Sequence, residues 1–184
     1  KNLHLEHIED EILNSGIQGG RAAINFIQSL RDMLAGTAKT SVNVSTKWDG
    51  APAIFAGTDP SDGQFFVAKK SVFNKNPILY KKESDIDVTG DLGEKFKVAL
   101  KEFSKLDIKG VLQGDLLYTS LDSSIADHWT FQPNTIMYAV PKDSDIGKKI
   151  SKSKIGIVWH TTYSGDTLED MTASFGVDQP LKRV

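Results

Sequence analysis

The chain has 184 residues, no cysteine, and 22 Lys and Arg against 24 Asp and Glu, for a formal charge of -2. The missing thiols exclude a disulfide framework, Cys-based zinc or iron-sulfur sites and thiol nucleophiles. The near balance of charge excludes a protein that coats nucleic acid by bulk charge, although it leaves room for a local basic groove. A chain of this length buries about 70% of the surface its unfolded form exposes, and 39% hydrophobic with 9% aromatic residues is the composition of a folded protein. No apolar run approaches the ~20 residues of a membrane span, and residues 1–11 are too charged for a signal peptide. The expected setting is therefore cytoplasmic, with no membrane contact.

In chain order, Leu5, Ile8, Ile12 and Leu13 fall at helical spacing and predict a short helix over 5–14, stopped by Gly16. A second helix over 21–35 places Ala22, Ala23, Phe26, Ile27, Leu30 and Leu34 on one stripe that should pack on another element. From Ser41 the pattern alternates through Val42, Val44 and Thr46, and an apolar run over 53–56 follows Asp49-Gly50, which predicts two strands of a hairpin. A turn over 59–63 leads to a third strand at Phe65, Phe66 and Val67. Residues 74–91 read as a long polar loop. Phe96, Leu100, Phe103 and Leu106 predict a helix, and 111–117 and 135–140 predict buried strands. A short helix at 145–150, a strand over 155–162 and the start of a helix at 167–171 complete the list. Helices and strands fall in separate blocks, which favours an α+β fold over a doubly wound parallel sheet. The expected organisation is one domain, helical over 1–36 and a mixed sheet over 41–184.

The segment Val44-Ser45-Thr46-Lys47-Trp48-Asp49-Gly50-Ala51-Pro52 carries Lys-x-Asp-Gly. A hairpin turn accounts for Asp49 and Gly50 but leaves Lys47 without a role. On the face of a sheet an unpaired ammonium is costly unless the face lines a cleft. A lysine nucleophile must be neutral, and desolvation or nearby cations are what lower its pKa from near ~10.4.

In this tetrapeptide the chain resembles the covalent nucleotidyltransferases, the superfamily of ATP-dependent DNA ligases, RNA ligases and mRNA capping enzymes. The resemblance implies antiparallel sheets lining a nucleotide cleft, ATP and Mg²⁺ as cofactors, and Lys47 as the group that attacks the α-phosphate to form a lysyl-nucleotide. It further implies that Thr46, Trp48, Asp49 and Gly50 border the nucleotide. About 65 residues downstream, Gln113-Gly114-Asp115-Leu116 at the end of a hydrophobic strand resembles the third motif of that superfamily. Asp115 would then face the ribose and the metal, one methylene shorter than the usual Glu; the rival reading is a solvated Asp at a strand end. Residues 134–140 resemble the aromatic-bearing strand that follows, which makes Tyr138 a nucleotide-binding candidate against the commoner role of a core aromatic. Between the motifs, Lys69, Lys70 and Lys75 stand where such families contact phosphates, Lys70 on the nucleotide and Lys69 and Lys75 on nucleic acid. A hairpin edge guarded by lysines is the alternative.

Pro52 replaces the Arg common in DNA ligases, which shifts the resemblance toward the RNA-ligase side. The superfamily's later Glu-Gly and Lys-x-Lys strands are not found, so the chain is expected to be an amino-terminal fragment that self-adenylates little. The expected partners are a nucleotide and nucleic acid, DNA or RNA. The competing expectation is a catalytically inactive nucleotide- or nucleic-acid-binding or virion-associated protein that keeps the fold. His4 and His7, with Glu6, Glu9, Asp10 and Glu11, have a spacing that can bind zinc, with a solvated acidic helix face as the plainer reading. His128 and His160 stand alone and read as structural residues.

Overall fold

The computed structural model describes residues 7–38 and 44–182. His4, Leu5, Glu6, Ser41 and Val42, assigned above to the first helix and first strand, lie outside them. The chain divides into two compact units, 4–47 and 48–184.

In the first unit the two expected helices follow one another across a kink at Gly16 (φ 55, ψ -133) and are described together as α1 (Asp10–Leu34). Gly16 does break the helix, because that left-handed backbone suits glycine, but helix resumes at once. Of the expected apolar stripe only Ala23 is buried; Phe26 and Ile27 are each about half exposed, at 51% and 53%.

The second unit is α+β. Its main sheet is antiparallel, in the order β2-β1-β3-β6-β7, built from β1 (Ala53–Thr58), β2 (Phe65–Ala68), β3 (Val111–Tyr118), β6 (Gly156–Ser164) and β7 (Thr172–Phe175). A two-stranded sheet joins β4 (His128–Phe131) to β5 (Tyr138–Pro141), and the helices are α2 (Gly90–Phe103) and α3 (Asp145–Ile150). Both faces of β1 are covered, Ile54 and Ala56 in one core cluster and Phe55 in the other, which is why its sequence is apolar without alternation. Ile54, Ala56, Leu112 and Leu116 meet Phe96, Ala99 and Phe103 of α2 on one face. Phe55, Val111 and Tyr163 join Phe66, Val72 and Met171 on the other. By the alternation of β3, Gln113 and Asp115 belong to this second face.

The hairpin expected between 41–46 and 53–56 does not form. Residues 44–50 hold no strand, and both edges of β1 are occupied by β2 and β3. The loop 74–91 is less loose than its composition suggests. Tyr80 pairs with Val67 through two backbone hydrogen bonds, is fully buried, and meets Phe96 edge to face. The expected buried strand over 135–140 begins only at Tyr138 and is half exposed. The expected helix at 167–171 is a turn, closed by Asp170 N–H donating to the Thr167 carbonyl, and it leads into β7. The elements β4 and β7 are too short to leave a sequence period.

The β1–β2 turn is pinned by buried Asp59, whose carboxylate accepts from Ser61 N–H (2.9 Å), Ser61 Oγ (2.7 Å) and Lys81 Nζ (2.6 Å). Burial alone would raise its pKa, but the Lys81 and Ser61 donors outweigh that and hold it below the ordinary value. A depressed carboxylate stabilises the fold above its unfolded pKa of ~3.9, and that contribution is lost as pH falls through the folded value. Asp59→Asn is therefore expected to lower the melting temperature at neutral pH and to flatten its fall below about pH 4. Parallel pH profiles for the two proteins, followed by calorimetry, would remove this role.

Candidate functional site

The two sequence motifs meet at the junction of β1 and β3. Ala53 pairs with Asp115 and Ile54 with Gly114. The chain just before β1 continues the ladder, with Ala51 N–H donating to the Leu116 carbonyl (2.9 Å) and Leu116 N–H to the Pro52 carbonyl (3.0 Å). The Ala51–Pro52 peptide bond is cis. Gly50 passes so close to β3 that a Cβ there would lie 2.8 Å from Asp115 Cβ and 2.8 Å from the Leu116 carbonyl oxygen. Close approach, rather than a hairpin turn, is what this glycine provides. Gly50→Ala must push the segment off β3 and is expected to cost about 1–3 kcal/mol, the usual range for overpacking. Chemical denaturation measures it, and a change under about 0.5 kcal/mol would show that the contact yields freely.

Asp49 is tied to the connection between β4 and β5. Its carboxylate accepts from Asn134 Nδ2 (3.0 Å), Thr135 N–H (3.1 Å) and Ile136 N–H (3.2 Å). The Tyr138 hydroxyl accepts from Asp49 N–H (2.8 Å) and donates to the Asp49 carbonyl (3.0 Å). The Tyr138 ring stacks on Phe131 (5.2 Å between centroids) and lies tilted against Trp48 (5.5 Å), while Phe131 touches Tyr118 of β3 (4.8 Å). Four rings thus run from the main sheet to Trp48, which is 42% exposed.

Asp115 is not at a strand end, since β3 continues to Tyr118. Its carboxylate, a quarter exposed, lies 3.6 Å from His160 Nε2, and His160 Nδ1 lies 2.7 Å from Thr161 Oγ1. His160 therefore does not stand alone. Gln113 pairs with Thr161 and Gly114 with Trp159, so His160 is the extra residue of a β-bulge, a device that re-aims side chains. No local pattern in Val158-Trp159-His160 announces it.

The lysines divide. Thr46 and Lys47 are exposed in the irregular stretch 44–50. Lys69 Nζ lies 3.2 Å from Asp87 and 5.9 Å above the Tyr80 ring, and the Tyr80 hydroxyl also binds Asp87. The Tyr80 hydroxyl first, then Asp87, hold the Lys69 ammonium above its usual pKa. Lys70, exposed, follows β2 at the end of the sheet where β1 begins, since Phe55 pairs with Ala68. Lys75 lines a pocket with Pro77, Leu79, Asp166 and Leu168, none of which belongs to the group around Asp49 and Asp115.

A model described as a family of unknown function (DUF6267) matches residues 2–183. The chain belongs to that family. No curated protein and no solved structure matches it. Membership in that family assigns no activity. Among the described residues no helix is long and apolar enough to cross a membrane.

Proposed function

We propose that the chain is a nucleotidyltransferase of the polynucleotide-ligase kind, in which Lys47 takes up AMP from ATP before transfer to a nucleic-acid end. The observation that supports this most is that Gly50 of the Lys-x-Asp-Gly segment lies directly against Asp115, although about 65 residues separate the two motifs. In the reaction a neutral Lys47 amine bonds to the α-phosphorus as the bond to the bridging oxygen breaks. Pyrophosphate leaves and the amine's proton passes to solvent.

Asp49 sets the path of the chain that carries Lys47, and Trp48, outermost of the four rings, offers a face to the base. Lys70 is placed to meet phosphates at the β1 end of the sheet, with Lys69 and Lys75 as further contacts to nucleic acid. Among the described residues no group of three His, Cys, Asp or Glu stands ready to hold a metal unaided. One carboxylate such as Asp115, completed by phosphate oxygens and water, nevertheless suits Mg²⁺. When bound, Mg²⁺ would offset charge on the leaving pyrophosphate.

A second reading, a protein that binds nucleotide or nucleic acid without the covalent step, draws on the short Asp115 side chain and its His160 neighbour. Intact-mass spectrometry of the protein made from its complete reading frame, after incubation with ATP or GTP and Mg²⁺, separates the two. A gain of one nucleotide supports the transferase and names its donor. Nucleotide binding without mass gain supports the second reading, and neither result would end both.

A further inference from the structure

We propose that Lys142, Lys148, Lys149, Lys152 and Lys154, beside Trp129, form a binding surface for the phosphate backbone of single-stranded nucleic acid. The surface would carry the acceptor in the reaction proposed above, but the argument for it uses no step at Lys47.

The lysines lie within thirteen residues that hold only two acidic side chains, Asp143 and Asp145. Elsewhere in this unit six of the lysines are paired: Lys69 with Asp87, Lys81 with Asp59 and Asp62, Lys95 with Asp91, Lys97 with Glu94, Lys105 with Glu102 and Lys109 with Asp107, and those that are not, such as Lys82 and Lys101, are not gathered in one tract. Among the described residues none of the five lysines over 142–154 forms an ion pair, and Lys148, Lys149, Lys152 and Lys154 are exposed. Lys148 and Lys149 sit in the last turn of α3, where they complement the helix dipole. That accounts for two of the five. Lys142 meets the Trp129 ring, and Lys152 and Lys154 add positive charge that no ion pair among the described residues offsets, the condition a polyanion would relieve.

The backbone under these charges is held in place. Lys142 N–H donates to the Asp127 carbonyl (2.9 Å), Gly147 N–H to Ser144 Oγ (3.0 Å), and Lys152 N–H to the Lys149 carbonyl (3.2 Å). Ser153 Oγ lies 2.9 Å from the Tyr118 hydroxyl of β3. Lys148 and Lys149 share a six-residue helix only ~9 Å long, and Lys152 and Lys154 follow it within four residues, a chain segment that a few consecutive phosphates can span. Lys142 Nζ lies 4.8 Å from the centroid of the Trp129 ring, a partly exposed indole. Cations interleaved with an aromatic face suit unstacked bases better than a duplex, whose bases are not free to stack on protein. An anionic membrane would use the same charges but needs several apolar side chains beside them. Ile146 is the one strongly exposed large apolar residue of α3.

The test is fluorescence anisotropy with a labelled single-stranded RNA or DNA of mixed sequence, without ATP, across 50–200 mM salt. Single strands give a slope of about -0.7 in log K against log salt per phosphate contact. Four contacts predict a loss of about 50-fold over that range. The variant Lys148→Gln/Lys149→Gln/Lys152→Gln/Lys154→Gln should lack that share of the slope, with circular dichroism unchanged and the melting temperature moved by no more than the few degrees that helix-dipole contacts are worth. Lys82→Gln/Lys101→Gln, which removes exposed lysines elsewhere, should bind as the wild type does. An equal slope in the quadruple variant overturns the proposal, as does wild-type binding to phosphatidylserine vesicles but not to the oligonucleotide. Because no ATP is present, loss of self-adenylation and loss of this surface are read separately.

Discussion

Lys47→Ala protein, incubated with α-labelled ATP and Mg²⁺ and then denatured, is expected to carry no label, whereas the wild type retains an acid-labile phosphoramidate. Lys47→Arg should be equally unlabelled, since a guanidinium is not deprotonated at accessible pH and has no free pair for phosphorus. Both substitutions fall on an exposed side chain outside any helix or strand, so stability should stay within about 0.5 kcal/mol of the wild type. Loss of label will then report chemistry rather than unfolding. Equal labelling of the alanine variant would remove Lys47 from the reaction and return the tetrapeptide to a purely structural part.

The second large effect is expected at Tyr138. Tyr138→Phe keeps the ring against Trp48 and Phe131 but deletes both hydrogen bonds to the Asp49 backbone. Two residues before Asp49 stands Lys47. A displacement of about 1 Å in a reacting group commonly costs 10²-fold in rate, so self-labelling at saturating ATP should slow by about that factor. Stability should fall by about 2 kcal/mol, two hydrogen bonds at about 1 kcal/mol each. ATP affinity should change little if the ring's packing is what matters for binding. A Tyr138→Phe protein that labels at the wild-type rate would show that the hydroxyl does not position the nucleophile. One that loses ATP affinity instead would make Tyr138 a direct nucleotide contact.

How far the sequence could be read depends on the range of the interactions. The α2 stripe of Phe96, Leu100 and Phe103 and the apolar run of β3 are local patterns, and both elements stand where their spacing puts them. The α3 helix, with Ser144 at its N-cap, is equally legible. What escaped are features made by distant partners. Asp49-Gly50 carries the local signature of a hairpin, but Asn134, Thr135 and Ile136 claim the carboxylate across about 85 residues, so no hairpin closes there. His160 reads as an isolated histidine because a bulge, invisible in composition, turns it toward Asp115. Likewise, nothing in the local sequence shows that Lys69 is shared with Asp87 and Tyr80, whereas five lysines without an ion pair gather over 142–154.

The bulge at His160 has one more effect, on the tolerance of β6 to changes in length. In an unbroken ladder continuing from Gln113 opposite Thr161, residue 159 would face Asp115, bringing an indole onto the carboxylate's side of the sheet. The additional residue shifts the phase, so Trp159 lies opposite Gly114 and packs against Phe103, 4.9 Å between centroids. Removing residue 160 would simply close the ladder and leave both faces as they are. Losing residue 158 would move every side chain on the Gly156 side of the gap to the wrong face. Two positions on either side of Trp159 are thus unequal in what they can lose: one is a spacer, and the other keeps Ile157 on the face it shares with Trp159.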